Sequence, residues 1–240
     1  MKTTRLGVLC AGILMAIGGA AQAIPISGQG TWETTLQGRD LDGDFFNGFE
    51  AYYDTVLNIT WLADANYART SGYDADGQMT WAAANAWAEN LVLGGFGQWR
   101  LPLVIDTGAP GCDQQPAGGA DCGVNVNTST SEMAHMYYVS LGNLPQTSLS
   151  NTGPFSNLQP SFYWSGTAYT GPGSSSGSAW MFSFRNGEQN WYWTYWGETL
   201  YAWAVHPGDI GTPAVVPVPA AIWLFGSGLL GLLSTARGRH

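Results

Sequence analysis

The sequence predicts an α+β domain. Two stretches with helical periodicity lie in the middle of the chain, and a block of alternating aromatic and polar residues after Ser161 reads as antiparallel strands. Because the strands follow the helices rather than alternating with them, a doubly wound α/β sheet is excluded. At 240 residues there is room for one domain of ordinary size plus processing segments.

The elements follow in order. Lys2 and Arg5 form a positive n-region, Leu6 to Gly19 an apolar stretch, and Ala21-Gln22-Ala23 an A-x-A cleavage site, so residues 1–23 read as a secretory signal and the mature chain begins near Ile24. Residues 24–53 hold a first strand within Ile24–Gln37 and the acidic loop "GRDLDGDFFNGFEAYYD". "TVLNITWLADAN" is the next strand, and "TSGYDADGQM" is rich in turn residues. A helix then starts at Thr80 as N-cap, presents Trp81, Ala84, Ala88 and Leu91 on one face, and stops at Gly94-Gly95. "FGQWRLP" leads out of it to Pro102 and a loop containing both remaining cysteines. Ser131 caps a second helix, with Met133, Met136, Tyr137 and Leu141 at helical spacing before Gly142-Asn143. "FYWSGTAY" is a strand, "SAWMFSFRNGEQNWYWTYW" a hairpin about Asn186-Gly187, and "LYAWAVHP" a last strand.

Charge narrows the function classes. Between Ile24 and Thr212 four arginines (39, 69, 100 and 185) face 17 carboxylates, a formal charge of −13 with no lysine. Such a surface repels phosphate backbones, so nucleic acid is not an expected partner; divalent cations and neutral sugars suit it better. Cys112 and Cys122 sit in the Gly/Pro/Asp-rich stretch "GAPGCDQQPAGGADCG". In an oxidising compartment they predict a disulfide closing that loop. Asp113 and Asp121 beside them oppose the lowered pKa that a catalytic thiol needs.

Three constellations bear on chemistry. Asp40, Asp42 and Asp44 alternate as in calcium loops, although Phe45 and Ala51 replace the Gly and Glu of an EF-hand, and Glu50 or Asp54 would have to complete the shell. Asp74 and Asp76 form a smaller cluster of the same kind. The densest aromatic segment runs from Trp180 to Trp203. Trp191, Trp193 and Tyr195 alternate onto one face and Tyr192 onto the other, too many rings for both faces to be buried. Exposed rings at Trp191, Trp193, Tyr195 and Trp196, beside Gln189, Glu188 and Asn190, would make a sugar-stacking platform, while most of the other aromatics form the core. No G-x-S-x-G or H-E-x-x-H motif occurs, and His135 and His206 have no nucleophile at motif spacing. Arg100 reads as structural. The expected function is therefore non-catalytic binding of carbohydrate or matrix material, with a structural matrix protein without a small ligand and an exported enzyme as the alternatives.

Several stretches taken together resemble a known family. "TWLADAN", "GGFGQWRLP", "SEMAHMYYVSLGN", "YWSGTAY", "AWMFSFRNGEQ" and "YAWAVHPGD" are similar to the Lcl C-terminal domain family, across residues 54–209. That resemblance implies a C-type-lectin-like fold, with two helices flanking small antiparallel sheets and long loops. Its founding members are glycan-binding adhesins. Residues 210–215 then read as a linker. The tail, residues 216–240, resembles a PEP-CTERM sorting signal in its Val216, Pro217 and Pro219, an apolar run, and Arg237 and Arg239, with Val218 where that signal usually carries glutamate. The resemblance implies an exosortase-like membrane protease as partner in a Gram-negative bacterium, an inner-membrane intermediate, and delivery to the cell surface or a biofilm matrix rich in exopolysaccharide. Ala220 to Ala236 is a hydrophobic helix marginally long enough to span a bilayer, and the arginines behind it fit an N-out, C-in segment. A plain C-terminal anchor is the alternative reading.

Overall fold

The computed structural model describes residues 24–108, 112–113, 121–171 and 177–213. The expected secretory signal and the expected sorting tail lie outside the described residues, within which no helix is long and apolar enough to cross a membrane.

The architecture is α+β and dominated by strands. In chain order the elements are α1 (Trp32–Thr35), β1 (Leu36–Asp40), β2 (Ala51–Asp54), β3 (Ile59–Leu62), α2 (Tyr67–Thr70), β4 (Gln78–Met79), α3 (Trp81–Asn90), β5 (Cys112–Asp113) and β6 (Cys122–Val124). Next come α4 (Glu132–His135), β7 (Phe162–Tyr169), β8 (Ser178–Ser183), β9 (Glu188–Trp193), β10 (Leu200–Tyr201), β11 (Val205–Pro207) and β12 (Thr212–Pro213). One sheet, wholly antiparallel, has the order β11-β3-β2-β1-β12. The other has the order β4-β10-β7-β8-β9-β6-β5 and is mixed, since β10 runs parallel to β7 and β5 parallel to β6. Segment 24–53 is woven into the same sheet as later strands: β1 pairs with β2 on one side and with β12 on the other.

Both helices form where expected, with differences at their ends. Thr80 caps α3 by accepting from the Ala83 amide at 3.3 Å, and Ser131 caps α4 by accepting from Ala134 at 3.2 Å. Of the expected face of α3, Ala84 and Ala88 are fully buried and Trp81 and Leu91 pack half-buried against the core; Trp87, outside the expected face, is buried with them. Trp81 is only half-buried because its indole N–H donates to the Ser165 carbonyl at 2.8 Å. The helix stops at Asn90, short of Gly94-Gly95. α4 runs on as a π turn, Met136–Ser140, closed by a Leu141 N–H to Met136 carbonyl bond of 2.8 Å. Its expected apolar face, Met133, Met136, Tyr137 and Leu141, is fully buried.

Two strand expectations change for physical reasons. The strand expected from Val56 begins only at Ile59, because the Asp54 carboxylate accepts from the amides of Val56 and Leu57 at 2.9 and 3.1 Å and bends residues 55–58 into a turn. "LYAWAVHP" is not one strand. Leu200–Tyr201 belongs to the mixed sheet and Val205–Pro207 to the antiparallel one, with Ala202, Trp203 and Ala204 crossing between them, all fully buried. The β8–β9 hairpin turns through Phe184–Gly187, with Gly187 at φ +78° at its end.

The core lies between the sheets and under α3 and α4. Trp61, Trp99, Trp164, Trp203, Tyr137, Tyr163, Phe182 and Phe184 are its largest members, each excluded from water. Burying one such side chain contributes about 1.5–3 kcal/mol. Arg100 is structural, as expected: its guanidinium forks onto Glu132 with two 2.7 Å contacts, tying "WRLP" to the first turn of α4.

Candidate functional site

The rings of the mixed sheet form a continuous ladder from core to solvent. Register sets Trp180 opposite Trp191 and Ser178 opposite Trp193 on β8 and β9, and alternation puts Trp191 and Trp193 on one face. Tyr169, from β7, stacks parallel on Trp191 at 5.0 Å and meets Trp180 edge-on at 5.1 Å. Trp193 stands edge-on to Trp191 at 5.5 Å, Trp196 leans on Trp193 at 5.0 Å, and Tyr195 packs edge-on to Trp196 at 5.3 Å. Exposure climbs along the ladder. Trp180 is buried, Tyr169, Trp191 and Trp193 are half-buried, and Tyr195 and Trp196 are 50% and 64% exposed. The Tyr169 hydroxyl has its pKa raised, by burial first and then by the Asp106 carboxylate.

The rings expected to form a platform are thus together, and one expected member drops out. Gln189 is fully buried, with its amide donating to the Asp121 carbonyl at 2.6 Å. It braces β9 against β6 and does not reach solvent. Two hollows that sequence alone does not reveal open on the Tyr192 side of the same sheet. A cavity of about 350 Å³ is lined by Phe162, Met181, Tyr192, Glu198 and Leu200, and the Tyr192 ring lies 5.9 Å from Trp193. A polar hollow of about 450 Å³ shares Phe162 and is lined also by Gln146, Ser148, Arg185 and Glu188. Their linings come from β7, β8, β9, β10 and the loops that carry Gln146, Ser148, Arg185 and Glu198, segments far apart in sequence.

The acidic loop is built differently from the alternating-aspartate expectation. Carboxylate oxygens of Asp40, Asp42 and Glu50 lie within 4.8 Å of one another and could hold a metal ion. Asp44 is not among them; it is exposed, and its carboxylate accepts from the Phe46 amide at 3.0 Å. The physical reason is the turn at Asp42, whose carboxylate accepts from the Asp44 amide and the Asn47 side chain. Those two bonds also hold the Asp42 pKa below the usual carboxylate range. Asp54 points elsewhere, capping its own turn. Asp74 and Asp76 likewise spend their oxygens on local amides.

Cys122 is buried and disulfide-bonded, and strand register sets it opposite Cys112, the only other cysteine within the described residues. The two histidines among the described residues sit apart from the ladder. His206 meets Trp99 edge-on at 5.5 Å, and burial lowers the His135 pKa against the opposing pull of Asp54. Compared with protein families, with curated proteins and with solved structures, the chain has no match.

Proposed function

We propose that this is an exported, non-catalytic carbohydrate-binding protein of the cell surface or extracellular matrix. The observation that supports it is the graded aromatic ladder, whose outer rings Trp193, Tyr195 and Trp196 reach solvent while its inner rings are locked in the fold. Rings fixed from behind present flat apolar faces without an ordering cost on binding. In this reading the C–H face of a pyranose lies on Trp196 or Trp193. The exposed Glu198 carboxylate, two residues beyond Trp196, is the polar group next to these rings along the chain for its hydroxyls. The charge of −13 between Ile24 and Thr212 favours a neutral glycan, such as a matrix exopolysaccharide, over a polyanion. The Lcl-type, C-type-lectin-like character of residues 54–209 belongs to the same proposal.

Binding of the purified protein to a panel of immobilised glycans tests it. Trp193→Ala and Trp196→Ala are each expected to keep the melting temperature and to weaken glycan binding about tenfold or more, about 1.4 kcal/mol. Unchanged binding by both variants defeats the platform. The alternative is a structural matrix protein with no small ligand, favoured by the deep burial of Trp61, Trp87, Trp99, Trp164, Trp180 and Trp203. It is the outcome if no glycan binds at all.

Delivery is part of the proposal. Residues 1–23 direct export and residues 216–240, with Pro217 and Pro219, are read by an exosortase-like membrane protease. Mass spectrometry of the mature protein is expected to find a C-terminus upstream of the arginine tail; a chain ending at His240 contradicts cleavage. The cation suited to the acidic cluster of Asp40, Asp42 and Glu50 is calcium, a hard ion that takes carboxylate oxygens in flexible numbers.

A further inference from the structure

We infer that calcium at Asp40, Asp42 and Glu50 acts as a staple that closes the β1–β2 loop and fixes its Phe45–Phe46 tip. This rests on the calcium reading of the cluster and adds what the ion does.

Asp40 is the anchor. It is 2% exposed, at the end of β1, and its Oδ1 accepts from the amides of Asp42 and Gly43 at 3.1 and 2.6 Å. Its Oδ2 is buried with no hydrogen-bond partner. An ionised oxygen withdrawn from water without a partner is costly, and the natural relief is a cation. No arginine supplies one. The ion pairs among the described residues join Arg39 to Asp209 and Arg100 to Glu132, and none of the three carboxylates takes part. The spacing suits the ion, since oxygens within 4.8 Å of one another fit around a calcium shell about 4.6–5.2 Å across.

The staple follows from where the ligands sit. Asp40 ends β1 and Glu50 immediately precedes β2, so they are the two feet of the loop. The feet are already in contact, because Glu50 Oε2 accepts from the Leu41 amide at 2.9 Å. From Asp42 to Gly48 every residue is exposed, with Phe45 at 47% and Phe46 at 101%. What orders this tip is a set of short-range bonds from Asp42 and Asp44 to their own neighbours. Asp42 is the one tip residue whose carboxylate reaches the feet, so an ion held by Asp40 and Glu50 also captures the tip.

The test combines calcium titration calorimetry with amide hydrogen exchange on the same protein. Calcium is expected to bind with a Kd on the order of 0.1–1 mM, as in extracellular modules. At a hundred times Kd, it should raise the melting temperature by roughly 5–10 °C. Exchange of the amides from Leu41 to Phe49 should slow at least tenfold, with little change elsewhere. Asp40→Asn and Glu50→Gln should abolish both effects; Glu50→Gln keeps an acceptor for the Leu41 amide, so it guards against a variant that merely misfolds. Asp44→Asn should retain both. Calcium binding without loop protection overturns the staple and leaves the cation site. No binding at about ten times the upper Kd overturns both, and equal protection by magnesium overturns the choice of ion.

Discussion

Trp203→Ala is expected to cost about 4–6 kcal/mol and to lower the melting temperature by roughly 10–20 °C. Trp203 is fully buried where the chain crosses from one sheet to the other. Its ring lies 4.6 Å from Trp61, 4.7 Å from Phe155 and 5.8 Å from Phe184, so residues from both halves of the core lose their common neighbour. The cavity accounts for about 3–5 kcal/mol of the cost. The indole N–H also donates to the Leu62 carbonyl at 2.8 Å, and orphaning that buried acceptor adds about 1 kcal/mol. Against a usual stability of about 5–15 kcal/mol, little margin remains. Urea unfolding measures it, with Trp196→Ala as the contrast: the exposed ring should change stability by no more than about 0.5 kcal/mol. Similar losses for the two variants would show that position in the core is not what decides.

Asn151→Ala should follow with about 3–4 kcal/mol, although the side chain removed is small. Asn151 is fully buried and its amide makes four bonds. Oδ1 accepts from Ile26 and Gly153 at 2.8 and 3.0 Å, while Nδ2 donates to the Leu141 and Gln29 carbonyls at 2.7 and 3.1 Å. It thereby ties residues 26–29 to the end of the α4 extension, beside the backbone approach of Gly30 to Gly142, where a Cβ on Gly142 would come 2.6 Å from the Gly30 nitrogen. Asn151→Asp should be no milder than alanine, because it turns an acceptor toward two carbonyls and buries a charge. Hydrogen exchange should show Ile26 to Gly30 losing protection first. A stability loss below about 1 kcal/mol for both variants would remove the case for a polar clasp.

Local chemistry made much of this fold legible in the sequence. Thr80 and Ser131 cap helices because a hydroxyl satisfies an orphan amide two or three residues on, and "FYWSGTAY" is one strand along its whole length. What stayed hidden depends on partners distant along the chain. Trp87 joins the buried face while Leu91 packs half-buried at the extended C-cap, which depends on where the sheet lies and is not encoded in periodicity. "LYAWAVHP" alternates like a single strand, yet it serves two sheets, a fact of topology. The candidate sites divide in the same way. The ring run from Trp191 to Trp196 is contiguous and was readable as a platform, but Tyr169 and the hollows need β7 and β10 beside it. Gln189 was misplaced because its exposure depends on the distant Asp121 carbonyl. Asp44 looked equivalent to Asp42 until the turn rotated it away and closure of the loop brought Glu50 in.

The pairing of β1 with β12 has a consequence for timing. Asp40 finds its partner Thr212 only 172 residues later, and β3 needs Val205–Pro207 as its outer neighbour. β1, β2 and β3 pair with one another locally, but both edges of their sheet wait for the last strands, and loop-closure entropy delays those edges until the chain is nearly complete. Under the export proposed above, such late closure would keep the translocating thread unfolded until its final strands had followed it across.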